Sequence, residues 1–157
     1  PIVNFIDQPG FMIGPEAERA GTIRFGMAAV AAAAQAKVPW ASIQIHKAFG
    51  VASAAHYAPG AYVLAWPSAE SGALPVEGGV AVAFHREIAM AADPDRARVE
   101  LESRLKTARS PFPRAESFAV HELIDPRETR PALCQWVEWI QPQLASLAGP
   151  TTFPIRP

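Results

Sequence analysis

Only one cysteine, Cys134, occurs in the 157 residues, so neither an internal disulfide nor a thiolate cluster for zinc can form. A lone cysteine of this kind is expected to be a buried thiol. Charge is sparse as well. Charged residues make up 18% of the chain and the formal net charge is −1, which gives no electrostatic attraction toward nucleic acid or an anionic membrane. No apolar run reaches the roughly 20 residues that span a bilayer, because the alanine-rich stretch 28–36 is interrupted by Gln35 and closed by Lys37. Familiar catalytic signatures are missing too. His121-Glu122 has no second histidine at the HExxH spacing, and there is no G-x-S-x-G elbow, P-loop or G-x-G-x-x-G. His46, His85 and His121 are scattered along the chain, and a metal site needs three or four converging donors, so none is expected.

What is present is apolar and ordered. Half of the residues are hydrophobic, and a chain of this length buries about two-thirds of its unfolded surface as one compact domain. The chain begins with Pro1 and then reads at once as a strand, Ile2-Val3-Asn4-Phe5-Ile6. That start, without a signal peptide or lead-in turn, suggests a fragment of a longer protein. Asp7-Gln8-Pro9-Gly10 is a turn, and Pro15 with Glu16 and Glu18 suits a first helical turn. Ala20, Ile23, Met27, Val30 and Ala34 then recur on one helix face to about Lys37. Strands are expected over 41–46 and 61–66, with a short helix of small residues, Val51 to Ala55, between them. This alternation suggests parallel strands joined by crossover helices.

Beyond Pro67 the pattern becomes helical. Helices are expected from Val76 to about Met90, with Gly78 and Gly79 weakening its start, and from Asp93-Pro94 to about Lys106. Pro111-Phe112-Pro113 reads as a loop. A last helix after Pro126 carries Leu133, Trp136, Val137, Ile140 and Leu144 on one stripe, and 150–157 reads as an irregular tail. Trp136 is expected in the core; with Trp139 it could also serve an interface.

The segment from His46 to Ser53 carries the chemical interest. A strand gives way to a tight turn at Phe49-Gly50 and then to a helix start built from small residues. The first N–H groups of a helix lack internal partners and sit at the positive end of its dipole. Two such donors converging on one oxygen form an oxyanion hole, about 3 kcal/mol per donor in a transition state. The same residues would equally suit a tightly packed helix–strand joint.

Several motifs, in order, cover nearly the whole chain. Asp7-Gln8-Pro9-Gly10-Phe11, followed by Gly14, Glu18 and Gly21, is similar to a D-V-P-G-F turn. Lys47-Ala48-Phe49-Gly50-Val51-Ala52 resembles R-K-A-[YF]-G-G-A, and Ala65-Trp66-Pro67-Ser68-Ala69-Glu70 resembles A-W-P-[ST]-A-[EQ]. Gly79-Val80, Pro111-Phe112-Pro113 and Ile124-Asp125-Pro126-Arg127-Glu128-Thr129-Arg130 follow in the same order. The set resembles the carboxyltransferase (β) subunits of biotin-dependent acyl-CoA carboxylases, such as those acting on propionyl-CoA and methylcrotonyl-CoA.

That resemblance implies an α/β chain with a partial crotonase-like (ClpP/crotonase) fold: parallel strands, crossover helices and a helical C-terminal extension. Residues 1–157 would be the C-terminal part of the second carboxyltransferase domain, with a CoA-binding domain upstream. It implies that the backbone amides of Val51 and Ala52 are the catalytic groups, holding the biotin ureido oxygen, and that Phe49, Gly50, Val51 and Ala52 form the biotin-binding segment. These amides would stabilise the biotin enolate as carboxybiotin gives up its carboxyl group to an acyl-CoA. No metal and no side-chain nucleophile would be needed. Expected partners are a biotin carboxylase or biotin carrier subunit and further copies of the chain, with neither nucleic acid nor membrane. The expected location is the bacterial cytoplasm or the mitochondrial matrix.

The chain departs from the pattern at the same segment. Val51 stands at the second glycine, His46 at the arginine before Lys47, and Ser53 and Ala54 at an aromatic and a polar residue. Acyl specificity therefore stays open, as does a degenerate, inactive homologue. A biotin-dependent decarboxylase subunit would run the same step in reverse. A ClpP-like serine peptidase would use Ser53 with His85 as base, since Gly50-Val51-Ala52-Ser53 loosely resembles G-x-A-A-S with the serine one position early. A non-catalytic scaffold is the third alternative.

Overall fold

The computed structural model describes residues 1–73 and 76–149. Strand β1 (Ile2–Gln8) leads through helices α1 (Pro15–Ala20) and α2 (Thr22–Gln35) to strand β2 (Trp40–Phe49). The short helix α3 (Gly50–Ala54) follows without a break, then β3 (Tyr62–Ala65) and β4 (Glu70–Gly72). Helices α4 (Val76–Ala83), α5 (His85–Met90), α6 (Pro94–Arg109) and α7 (Pro111–Glu116) come next. Strand β5 (Glu122–Leu123), a 3₁₀ turn (Pro126–Glu128), α8 (Thr129–Ile140) and α9 (Leu144–Leu147) complete the described chain. The anticipated irregular tail, 150–157, lies outside the described residues.

All strand pairs are parallel, as the strand–helix alternation predicts. The order is β1-β2-β3-β5, with β4 also on β2. Strand β2 is the spine: Ala41–Gln44 pair with β3, whereas Lys47–Phe49 pair with β4. Its Ile43 is fully buried, as are Ile6 and Leu64 on the neighbouring strands. Ser42 and Gln44 are also buried, and each finds a partner: Ser42 Oγ donates to the His56 carbonyl at 2.6 Å and Gln44 Nε2 donates to Tyr57 Oη at 2.9 Å. Buried polar groups are tolerated on these terms.

The sequence-based boundaries shift in instructive places. The single helix expected over 15–37 divides at Gly21, which adopts φ +72° and whose N–H reaches the carbonyls of Ala17 and Glu18. That glycine closes one helix and opens the next. The apolar face expected on this segment is not buried: Ile23 and Met27 are about half exposed, and Ala33 is the residue of α2 that is fully covered. Likewise the helix expected over 76–90 divides at Phe84. Pro111-Phe112-Pro113 is not a loop but the first turn of α7, where proline at the first helical position loses no internal hydrogen bond. Cys134 is exposed rather than buried, because it lies away from the side of α8 that carries Trp136 and Ile140 into the core. The C-terminal stripe behaves as read: Trp136 and Ile140 are buried against Ala41, with Leu133, Val137 and Leu144 alongside.

Among the described residues one non-glycine position, Phe118, carries backbone strain. Phe118 has φ +57° with its side chain 93% exposed, so the left-handed backbone is unrewarded by packing. That conformation costs an ordinary residue about 1–2 kcal/mol, and glycine's extra unfolded-state entropy offsets about 0.5–1 kcal/mol of the relief. The F118G variant is expected to gain about 0.5–1 kcal/mol of local stability. Amide exchange of residues 117–124 in the full-length protein checks it: slower exchange is expected, and unchanged or faster exchange removes the strain argument.

Candidate functional site

The joint between β2 and α3 is defined by two backbone conformations. Phe49 is extended (φ −116°), and Gly50 turns the chain with φ +62°. A side chain at Gly50 would be in a disfavoured backbone region and would place its Cβ 3.2 Å from the Ala73 carbonyl oxygen. Glycine is required here for conformation and for space.

Val51 and Ala52 therefore occupy the first turn of α3, where amides have no intrahelical acceptor. Among the described residues neither amide has a hydrogen-bond partner. The two residues divide outward and inward: the Val51 side chain is 56% exposed, whereas the Ala52 methyl is buried. Phe49 is also buried, its ring close to Gly72 and beneath the Arg109 guanidinium, 5.4 Å from the ring centroid. Phe49 thus anchors the joint from inside, and only its backbone faces the turn.

The far end of α3 is held with equal firmness. The His56 carbonyl accepts hydrogen bonds from Ser42 Oγ (2.6 Å), Trp40 Nε1 (3.0 Å) and Asn4 Nδ2 (3.4 Å). Within the helix, Ser53 Oγ donates to the Gly50 carbonyl at 2.9 Å. A short helix tied at both ends keeps its amide directions without rearrangement, the requirement for electrostatic stabilisation of a transition state.

Beside the joint the β1–β2 register is irregular between Ile6 and Gln8. Asp7 Oδ1 occupies the gap, accepting from the Lys47 amide at 3.1 Å and lying 3.1 Å from His46 Nδ1. His46 is therefore held by a carboxylate at the exposed carboxyl end of the strands. His121 Nδ1 accepts from the Val63 amide at 3.0 Å, a structural role between β3 and β5. His56 is partly buried, which lowers its pKa. Neither His85 nor any other histidine among the described residues bonds to Ser53, whose hydroxyl is engaged with its own helix. The dyad a serine peptidase would need is not assembled.

A second group of residues lies near the joint, of which the sequence singled out Ser53 alone. Gln44, Ser53, Tyr57, Ser71 and Arg114 line one cavity of about 360 Å³. They come from β2, α3, the turn after it, β4 and α7. No local pattern announces such a grouping, and Arg114 directly follows the Pro111-Phe112-Pro113 segment read as a loop.

No helix among the described residues is long and apolar enough to cross a membrane. Among the described residues no cluster of histidine, cysteine or carboxylates could hold a metal ion.

Comparison with known proteins places the chain in a family and a fold. The carboxyl transferase domain family matches residues 1–145. The 12S subunit of methylmalonyl-CoA carboxyltransferase from Propionibacterium freudenreichii subsp. shermanii is 34% identical over 142 residues, 88% of this chain and 27% of that protein. The alpha subunit of methylmalonyl-CoA decarboxylase from Veillonella parvula is 32% identical over 136 residues, 85% of this chain and 25% of that protein. Among solved structures, transcarboxylase 12S, a hexamer determined with methylmalonyl-coenzyme A and methylmalonic acid bound, superposes with a TM-score of 0.81 at 33% identity. The superposition covers 98% of this chain and 29% of that one. The fold is that of the crotonase-like carboxyltransferases. The chain spans about a quarter of the length of these curated relatives.

Proposed function

Because this chain belongs to the carboxyl transferase domain family, we propose that it forms the C-terminal part of the second domain of a biotin-dependent acyl-CoA carboxyltransferase subunit. The observation that carries the reading is the pair of adjacent amides, Val51 and Ala52, in the first turn of α3, without a hydrogen-bond partner among the described residues. A ureido oxygen is a neutral acceptor in the ground state and gains negative charge as its carboxyl group departs. Two fixed N–H donors at the positive end of a helix favour that charge more than the starting oxygen, and this difference is what accelerates a reaction.

The residues present fit this role. Gly50 leaves the approach to the backbone free of a side chain, and Phe49 holds the turn from within. Biotin, brought on a carrier partner, would supply the carboxyl group and, after its loss, the base for the acyl-CoA α-proton. The chain's own contribution is to bind, orient and polarise. No nucleophilic side chain is asked for, in keeping with the engaged hydroxyl of Ser53.

The relatives support this reading in kind. One is named for methylmalonyl-CoA carboxyl transfer and one for methylmalonyl-CoA decarboxylation, so the same hole would serve either direction, with partner subunits setting the flux. Assembly into a homo-oligomer follows the hexameric 12S protein. Carboxyl transfer in both directions is tested by incubating the full-length protein with a malonyl-type CoA ester, radiolabelled in its transferable carboxyl group, and a biotinyl carrier. Label is expected to move to the carrier, and back to an acyl-CoA acceptor in a second incubation. Absence of transfer across acetyl-, propionyl- and longer thioesters would overturn the reading.

A further inference from the structure

The cavity inside the joint has an electrical character of its own. Arg114, on α7, reaches it with its Nε sealed from solvent and without a hydrogen-bond partner among the described residues. The ion pairs of the described chain lie elsewhere, at His46–Asp7, Arg96–Glu100, Arg98–Asp95 and Arg127–Asp125. Arg114 as a whole is partly buried, and its sealed Nε–H is a donor left without water or a protein acceptor among the described residues, which is unfavourable until a ligand supplies one. Among the described residues no carboxylate side chain lines the cavity.

The other polar groups are also disposed to donate. Gln44 Nε2 donates to Tyr57 Oη at 2.9 Å, which leaves the phenolic proton free for a second partner. Burial raises the Tyr57 pKa, against the smaller opposing effects of the Gln44 hydrogen bond and the Arg114 charge, so the proton remains in place at neutral pH. Ser71, on β4, is buried and its hydroxyl makes no hydrogen bond among the described residues. One planar cation and two hydroxyl donors thus converge on a space of about 360 Å³, at the small end of ligand pockets, about 300–1,000 Å³.

We propose that this cavity binds a small carboxylate, with Arg114 as its cationic anchor and Tyr57 and Ser71 as donors to its oxygens. Guanidinium and carboxylate match in plane and spacing, and such charge-assisted bonds are the strong ones. The carboxylate could be a free acid or the end of an acyl chain; the chemistry is shared. The site stands on its own geometry and does not depend on the ureido assignment for Val51 and Ala52.

The test uses the full-length protein and three probes in titration calorimetry: malonate, the N-acetylcysteamine thioester of malonic acid, and that of acetic acid. Malonate, its thioester, or both are expected to bind while the acetyl thioester does not. The R114Q variant is expected to weaken that binding by about tenfold or more, and Y57F by about threefold, as for loss of one charged and one neutral hydrogen-bond donor. Binding of the malonyl thioester alone would identify an acyl-chain carboxylate, and equal binding of malonate would identify a free acid; both support the site. Absence of binding by both carboxylate probes, or binding indifferent to R114Q and Y57F, overturns it. Y57F keeps the core shape, so it remains informative if R114Q perturbs folding.

Discussion

Replacing Gly50 by valine in the full-length protein is expected to reduce carboxyl transfer by about 10³-fold or more, with acyl-CoA affinity changed by less than about twofold. The reason lies in one backbone angle. At φ +62° an ordinary side chain costs about 1–2 kcal/mol, and a β-branched one is a genuine outlier. The added Cβ would also meet the Ala73 carbonyl oxygen at 3.2 Å. The chain escapes by rotating the peptide planes on either side, and the plane that follows Gly50 is the one bearing the Val51 amide. A misplacement of about 1 Å at a reacting group can cost about 100-fold, and here both donors move together. G50A is expected to fall between wild type and G50V. Steady-state transfer kinetics alongside acyl-CoA binding decide the matter. Unchanged turnover in G50V would mean that these amides do not face the reacting oxygen.

The second expected result isolates the N–H itself. Exchanging the Val51 residue for its α-hydroxy analogue replaces the Gly50–Val51 amide by an ester, which removes one donor and keeps the side chain. Among the described residues that N–H has no protein partner, so folding should lose little. The weakened Gly50 carbonyl, which accepts from Ser53 Oγ, accounts for less than about 1 kcal/mol. Turnover, in contrast, is expected to fall by about 10²–10³, the usual consequence of deleting one oxyanion donor. V51A, which retains the amide, should stay within about threefold of wild type. The split between the ester and V51A is the signature. If both lose activity equally, the Val51 side chain matters and its amide does not.

The candidate site was legible where it depends on neighbours in sequence. Phe49-Gly50 between a strand and a run of small residues announces an exposed helix start, and the geometry of α3 follows from those few residues. The α8 stripe was legible for a similar reason: Trp136 and Ile140 repeat at helical spacing, and one side of a helix faces the core. Errors came where burial depended on cover from distant segments. The apolar positions of α2 have the right period, yet Ile23 and Met27 stay half exposed because α1 and α3 touch only part of that helix. Cys134 is exposed because α8 turns another side inward. Pro111 and Pro113 punctuate a loop or open a helix equally well, and the extended Ser110 before them decided for the helix.

The order of the chain by itself determined the parallel strand–helix alternation, the need for glycine at position 50, and two adjacent amides left over at a helix start. These are consequences of backbone geometry within a few residues, where sterics and period leave little choice. Tertiary structure alone decided that β4 pairs with the end of β2, bringing Gly72 and Ala73 against the joint. It alone brought Arg114 to a cavity shared with Gln44 and Tyr57, residues far apart along the chain. Such meetings are set by how sheets and helices fill space together, a balance of burial and polar satisfaction summed over the whole domain.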